Sequence, residues 1–248
     1  MLIFVPMNLT TQIRNRIKQL PEGKTFGYDD LRIAKEDYTT AAKVLERLQK
    51  TGLIKKVSKG VFYKPKQTVF GELEPNYEEQ LRLYLFENGE RIAYETGVSY
   101  YRRLGLTTQM AFTIKIASRG KRININRGSL KADAVKSYTE VSESNYEVLG
   151  LLDAFKDIKN IPDTSVAQSV RRLRAILKTL DKKQTETLIK YALLYPARVR
   201  ALVGAILQNI DYTSKALDNL KQSLNPLSTI KLGLKESDLP TKNNWYIK

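Results

Sequence analysis

The stretch Tyr38–Lys66, YTTAAKVLERLQKTGLIKKVSKGVFYKPK, decides the fold of the first part of this chain. Its first half places apolar residues at the spacing of a helix: Ala41, Ala42, Val44, Leu45 and Leu48. Thr51-Gly52 is expected to end this helix, because glycine readily takes the left-handed conformation at a helix C-terminus. The first half of the stretch therefore predicts one amphipathic helix of about three to four turns.

The second half of the same stretch has the pattern of a β-hairpin. Leu53, Ile54 and Val57 form one apolar run, and Val61–Tyr63 forms the next. Ser58-Lys59-Gly60 between them is typical of a tight turn. A helix followed by a lysine-rich hairpin is the layout of a winged helix-turn-helix, so DNA binding is the first hypothesis to test.

Upstream residues supply the rest of such a module. Residues 8–20 predict a first helix, Thr25-Phe26 a short strand, and residues 29–34 a second short helix. Three helices and a wing fit within about sixty residues. We therefore predict a winged helix-turn-helix DNA-binding domain over residues 8–66.

The remainder of the chain predicts an α+β protein with a mainly helical C-terminal part. Gly71 and Pro75 interrupt both periodicities, which favours a linker. Alternating runs then indicate a small antiparallel sheet, and Trp245 is expected to dock as part of a short strand because an exposed tryptophan is uncommon. After the winged helix we expect these parts: a linker at 67–78, an α+β domain at 79–142, a helical region at 143–225 and an extended tail at 226–248.

The charge of the chain favours a polyanionic partner. Its 248 residues carry a net charge of +16. Residues 1–70 hold 14 basic against 6 acidic residues, residues 71–160 hold 13 against 13, and residues 161–248 hold 15 against 7. Concentration of charge at both ends around a neutral middle favours binding surfaces for nucleic acid over uniform basicity.

Composition also narrows the chemistry. The chain has no cysteine and no histidine, which excludes disulfides, histidine-dependent triads and the usual ligands of zinc. We find no persuasive catalytic constellation, phosphate-binding loop, metal site or cofactor site, and expect a protein that is not an enzyme. No apolar run reaches the length of a membrane span, so a cytoplasmic protein without a membrane partner is expected. Met7 is an alternative start to Met1.

The candidate DNA-binding residues lie outside the apolar stripe of the third helix and in the wing. Small polar residues near a helix N-terminus and long cations one turn later can contact base edges and phosphates. Lysines of a wing commonly contact the phosphate backbone of DNA. With two phosphate contacts from the first helix, the predicted set is Tyr38, Thr39, Thr40, Lys43, Arg47, Lys55, Lys56, Ser58, Lys59, Arg14 and Lys18.

A second basic surface is expected in the helical region. It could bind nucleic acid or an acidic protein partner, or it could simply be a solvated helix face. Its residues are Arg171, Arg172, Arg174, Lys178, Lys182 and Lys183.

Several sequence words together resemble a known family. These are RNRIKQLPEGKTFGYDDL, AAKVLERLQKTGLIKKVSKGVFYKPK and FGELEPN, followed by YETGVSYYRRLGLTTQ, FTIKIASRG and RININRG. Their order and spacing resemble the AbiEi-type antitoxins of type IV toxin–antitoxin systems, in a branch with a longer helical C-terminal part. The resemblance covers residues 10–140 best.

The resemblance implies a protein with two roles. Its winged helix would bind repeats in its own promoter, expected to be inverted repeats, and repress the operon. The domain after it would oppose a nucleotidyltransferase-like toxin, with or without direct contact, in an abortive-infection type of phage defence. Two alternatives stay open: a plain winged-helix repressor with a C-terminal sensing or partner-binding domain, and a nucleic-acid-processing enzyme or subunit.

Overall fold

The chain folds into two compact units that divide between Gly89 and Glu90. The computed structural model describes residues 8–58, 60–69, 71–127 and 130–248. Helices and small, largely antiparallel sheets make up both units, which confirms the α+β class. Each unit has a hydrophobic core of its own.

The N-terminal unit opens with a winged helix-turn-helix in which turns replace the second of the three expected helices. Its three-stranded antiparallel sheet has the order β1-β3-β2, and the helices pack on it through one apolar core. The elements are α1 (Leu9–Gln19), β1 (Thr25–Phe26), α2 (Tyr38–Lys50), β2 (Lys55–Ser58) and β3 (Val61–Tyr63).

Helix α2 follows the predicted pattern closely. It buries Ala41, Val44, Leu45 and Leu48 against the core. Gly52 after its end has φ +74°, the left-handed conformation that made glycine the expected stop. Ala42, which was grouped with the apolar stripe, is exposed, because at 100° per residue it falls outside the arc of the helix that the four buried residues occupy.

The second short helix predicted at residues 29–34 is absent, and that prediction was wrong. This segment forms turns, followed by a single 3-10 turn at Lys35–Asp37. The Asp30 carboxylate accepts a hydrogen bond from the backbone N–H of Gly27 at 2.8 Å, which favours a turn over a helix. The Arg16 guanidinium donates to the carbonyl oxygens of Leu31 and Arg32, the second at 3.2 Å.

The segment predicted as a linker contains regular structure. Strands β4 (Lys66–Thr68) and β5 (Gly71–Leu73) form an antiparallel hairpin, and α3 (Tyr77–Leu85) begins within the same segment. The Glu79 carboxylate on α3 accepts hydrogen bonds from the backbone N–H of Thr25 at 3.1 Å and its hydroxyl at 2.9 Å. Helix α3 is thereby fixed to the winged-helix sheet. A second hairpin, β6 (Phe86–Glu87) with β7 (Glu90–Arg91), turns at Asn88-Gly89.

A four-stranded sheet with the order β10-β11-β9-β8 begins the C-terminal unit. Two of its pairs are antiparallel, whereas β9 and β11 run parallel. Helix α4 (Val98–Arg103) lies between the first two strands in sequence. The strands are β8 (Ala93–Thr96), β9 (Ile114–Ser118), β10 (Ile125–Arg127) and β11 (Leu130–Lys136).

Five helices follow and form the larger core of the chain. Two of them begin with capping boxes, Ser165 with Gln168 and Asp181 with Gln184, which satisfy the first backbone donors of each helix. The helices are α5 (Tyr146–Lys156), α6 (Val166–Leu177), α7 (Lys182–Ala192), α8 (Ala197–Asn209) and α9 (Lys215–Gln222). In the part of the chain described, no helix is long and apolar enough to cross a membrane.

The C-terminal tail completes this core. Trp245 is 2% exposed, as expected, but it ends the 3-10 helix Lys242–Trp245, so the strand predicted for it was wrong. Ile247 after it pairs with Ile230 in a single parallel bridge. The indole N–H of Trp245 donates to the Gln208 side chain at 2.8 Å. Gly204 on α8 lies directly against the indole, where a Cβ atom would overlap the ring.

A buried carboxylate joins the sheet to the first helix of this core. Asp153 on α5 is 2% exposed. Its carboxylate accepts hydrogen bonds from the hydroxyls of Tyr94 and Thr96 at 2.9 Å each, and from Tyr195 at 3.2 Å. The Lys156 ammonium lies 3.3 Å away. Burial raises the pKa of the Asp153 carboxyl, while Lys156 and the hydroxyl donors act in the opposite direction.

Candidate nucleic-acid interface

One face of α2 presents polar and cationic side chains to solvent. Thr39, Thr40, Lys43 and Arg47 are all exposed, while the opposite face of the helix is buried. Thr40, Lys43 and Arg47 follow one another at intervals of three and four residues, which places them along the same side. The predicted contact residues of this helix are therefore brought together on one surface.

Tyr38 has a different position from the other predicted contacts. It is half-buried, and its ring lies 4.7 Å from that of Tyr28, centroid to centroid. Its hydroxyl donates to Asp29 at 3.4 Å. Desolvation and then the Asp29 charge raise the pKa of the Tyr38 phenol. Tyr38 therefore ties the start of α2 to the preceding turn, which orients the exposed residues that follow.

The wing presents fewer free cations than the sequence suggested. Lys56 is exposed and Ser58 is partly exposed, whereas Lys59 lies outside the described residues. Lys55 forms an ion pair with Glu72 on β5. A hydrogen bond with Glu72 raises the pKa of the Lys55 ammonium, and the same contact lowers the pKa of the Glu72 carboxyl. Sequence reasoning treated Glu72 as part of a linker and missed this partner.

Removing this ion pair tests whether Glu72 restrains the wing. In Glu72→Gln, the Lys55 ammonium loses its carboxylate and becomes available to a phosphate. We expect tighter DNA binding and a salt dependence steeper by about one unit of slope, as one added phosphate contact predicts. The measurement is fluorescence anisotropy with duplex DNA at several salt concentrations.

The Lys55→Ala and Lys56→Ala variants provide the controls for this prediction. Lys56→Ala should weaken DNA binding in either background, because its ammonium has no carboxylate to release. Lys55→Ala should abolish the gain from Glu72→Gln. A gain that survives in Lys55→Ala would assign the effect of Glu72 to its own charge instead of to Lys55.

Helix α1 has two kinds of cation. Arg14 and Lys18 are exposed, as expected for phosphate contacts, although each is a single side chain on a solvated helix. Arg16 is directed at backbone carbonyls of the turn after β1 and is part of the fold. The sequence had no signal for this difference, since all three residues belong to one basic helix.

The second basic surface is divided between structural and free cations. Arg172 donates to the carbonyl oxygen of Leu104 at 2.6 Å, and Arg174 donates to the Asn209 side chain at 3.0 Å. These two arginines therefore hold helix α6 to its neighbours. Arg172 is nevertheless exposed, as are the remaining members of the set, Arg171, Lys178, Lys182 and Lys183.

The described ranges contain no group of three or more acidic side chains arranged to hold a metal ion. The most buried carboxylate, Asp153, is surrounded by hydroxyls and one lysine within the core. In the N-terminal unit, the exposed residues of the predicted interface lie on α2 and on the wing strand β2.

Together these features define an α+β protein with an N-terminal winged helix-turn-helix. The chain belongs to a family of unknown function (DUF6088), whose model matches residues 12–188. No curated protein matches it. Its fold is similar to that in the crystal structure of RV2827C protein from Mycobacterium tuberculosis, with a TM-score of 0.50 and 12% identity over 90% of this chain and 85% of that chain.

Proposed function

We propose that this protein is a DNA-binding transcriptional regulator that recognises an operator through its winged helix. The observation that carries the proposal is the exposed face of α2, with Thr40, Lys43 and Arg47 in line on a helix whose other face is buried. The protein would act in the cytoplasm. Its operator would lie in the promoter of its own gene.

The chemistry of these side chains divides them into two roles. Arginine can donate two hydrogen bonds to guanine in the major groove, and threonine can contact base edges through its hydroxyl and methyl groups. Lysines of the wing and of α1 would bind phosphates, which positions the helix without reading sequence. Arg47 and Thr40 are thus the residues expected to set sequence preference, and Lys56, Arg14 and Lys18 those expected to set affinity.

The proposal extends to an antitoxin role for the C-terminal unit. Its support is the resemblance to AbiEi-type antitoxins, whose matching words YETGVSYYRRLGLTTQ and FTIKIASRG fall on β8, α4 and β9. A unit with its own core can carry a second activity. Co-expression with a neighbouring nucleotidyltransferase-like gene should restore growth if the proposal holds, and growth arrest despite co-expression would reject this part of it.

Arg47→Ala tests the operator-binding part. We expect the preference for the upstream DNA of the gene over scrambled DNA to fall by about 1–3 kcal/mol, the value of a bidentate base contact. Competition binding with the two duplexes at two salt concentrations measures it. Thr40→Ala is expected to lower the preference in the same way, while Lys56→Ala should weaken binding to both duplexes equally.

The matched control is Lys50→Ala. Lys50 is also an exposed cation of α2, but it is paired with Glu46 at 3.0 Å at the opposite end of the helix from Thr40. Its removal should leave the preference unchanged. Equal binding of the original protein to both duplexes would reject operator recognition, and an equal loss in Arg47→Ala and Lys50→Ala would reject the assignment of α2 as the reading helix.

A further inference from the structure

An open cleft of about 770 Å³ lies on the C-terminal unit. Helix α4 forms one wall, the start of α5 forms the floor, and the end of α6 with the start of α7 forms the other wall. All of its lining residues belong to the C-terminal unit. The operator-binding proposal makes no use of this cleft.

Apolar side chains line the cleft, and the fold buries Leu151 but leaves the others half-buried. They occur at helical spacing on three elements, three or four residues apart on each, so that they form continuous rows along the cleft. The rows consist of Tyr100 with Leu104, Val148 with Leu151, and Ile176 with Leu180. Rows of this kind match the apolar face of a helix, whose anchors recur every three to four residues.

The two rims of the cleft differ in available charge. On the α4 and α5 side, Arg103 pairs with Glu95 at 2.9 Å, and Glu143 pairs with Arg91 at 2.7 Å. Glu147 also lines this rim and is exposed. This rim therefore offers no net positive charge to a partner.

The α6 and α7 rim is basic and unpaired. Lys183 lines the cleft, and Lys178 and Lys182 are exposed close by in sequence. Among the residues described, no carboxylate lies within ion-pair distance of these three ammonium groups. A partner that fills the cleft would therefore gain from carrying acidic residues beside its apolar face.

We propose that this cleft is a docking site for an acidic amphipathic helix of a partner protein. The apolar rows receive the hydrophobic anchors of the helix, and Lys178, Lys182 and Lys183 meet its acidic flank. A nucleic-acid strand would use the same lysines but would gain nothing from the aliphatic floor. The cleft is open to solvent, which suits a helix better than a small molecule that must be enclosed.

The test uses a fluorescein-labelled synthetic peptide of about 18 residues, with leucine or phenylalanine at helical anchor spacing and glutamate elsewhere. Anisotropy with the full chain should show saturable binding. A peptide of the same composition with scrambled order should bind at least about tenfold more weakly, because it cannot present one apolar face. No binding, or equal binding of the two peptides, would overturn the proposal.

Two variants test whether the peptide binds in the cleft. Leu180→Glu places a charge in the apolar row, and Thr187→Trp fills the cleft from a rim position without altering the core. Both are expected to weaken peptide binding at least about tenfold, while circular dichroism and cooperative unfolding of the full chain report that the C-terminal unit is folded. Peptide binding that survives in Thr187→Trp would overturn the cleft as the site, even if Leu180→Glu failed to fold.

Charge reversal separates a helix from a nucleic acid. The double variant Lys182→Glu with Lys183→Glu should no longer bind the glutamate peptide. It should instead bind a peptide in which lysine replaces glutamate. The matched control reverses the charge of Lys231 and Lys235, which are exposed and do not line the cleft. It should change the binding of neither peptide. If charge reversal at the lysines weakens peptide binding but Leu180→Glu and Thr187→Trp do not, the surface binds polyanions and the proposal of a helix is wrong.

Discussion

Replacing Trp245 by alanine is expected to lower the free energy of unfolding of the C-terminal unit by about 3–5 kcal/mol. The indole is almost fully buried, packs on Gly204 and donates to Gln208 at 2.8 Å. The variant loses the apolar contact, leaves a cavity beside α8 and removes one buried hydrogen bond. Chemical denaturation followed by circular dichroism measures the change.

The controls for this prediction separate volume from hydrogen bonding. Trp245→Phe keeps most of the apolar contact and should cost clearly less than the alanine variant. Gly204→Ala should also destabilise the unit, because its methyl group would overlap the indole ring. Combined with Trp245→Ala it should cost little more than Trp245→Ala alone. Additive costs would contradict the packing of the ring on Gly204.

Replacing Asp153 by alanine has the second large effect, also about 3–5 kcal/mol. The hydroxyls of Tyr94, Thr96 and Tyr195 would lose their common acceptor inside the core, and Lys156 would lose its nearest carboxylate. Asp153→Asn keeps the volume and one acceptor, so it should cost much less. Equal costs for the two variants would show that the carboxylate itself, and not packing volume, stabilises this position.

The same carboxyl predicts a dependence of stability on pH. Because burial raises the pKa of Asp153 in the folded chain, the folded state retains a proton that the unfolded state releases near pH 4. The stability of the original protein relative to Asp153→Asn should therefore be highest below about pH 4. It should fall as pH rises toward the folded pKa. A relative stability that increases with pH over this window would mean the carboxyl pKa is lowered.

The sequence predicted the parts of the fold that follow from local periodicity. Helix α2, the hairpin after it and the burial of Trp245 were predicted from apolar spacing and turn residues, and the structure confirms them. The prediction of a helix at residues 29–34 failed because apolar spacing does not reveal two side-chain contacts. Asp30 bonds to Gly27, and Arg16 reaches the segment from α1. Periodicity contains no information about such partners.

Long-range pairing limited the prediction of the site in the same way. Lys55 and Lys56 are adjacent and equally basic in sequence, yet only Lys55 meets a carboxylate, 17 residues away on the following hairpin. Likewise Arg172 and Arg174 looked like members of a free basic surface, but each is directed at an acceptor on another element. Which cations are available to a partner depends on the folded arrangement of distant residues.

The late position of Trp245 bears on the order in which the chain matures during synthesis. The buried residues of the winged-helix core end at Phe62, whereas the C-terminal core includes Trp245 and Ile247. At about 5–20 residues per second, a ribosome makes the second set roughly 10–40 s after the first. A nascent chain can thus hold a finished winged helix while its other unit still lacks the residue that closes it. During that interval the exposed apolar surface of the nascent chain belongs to the unfinished unit.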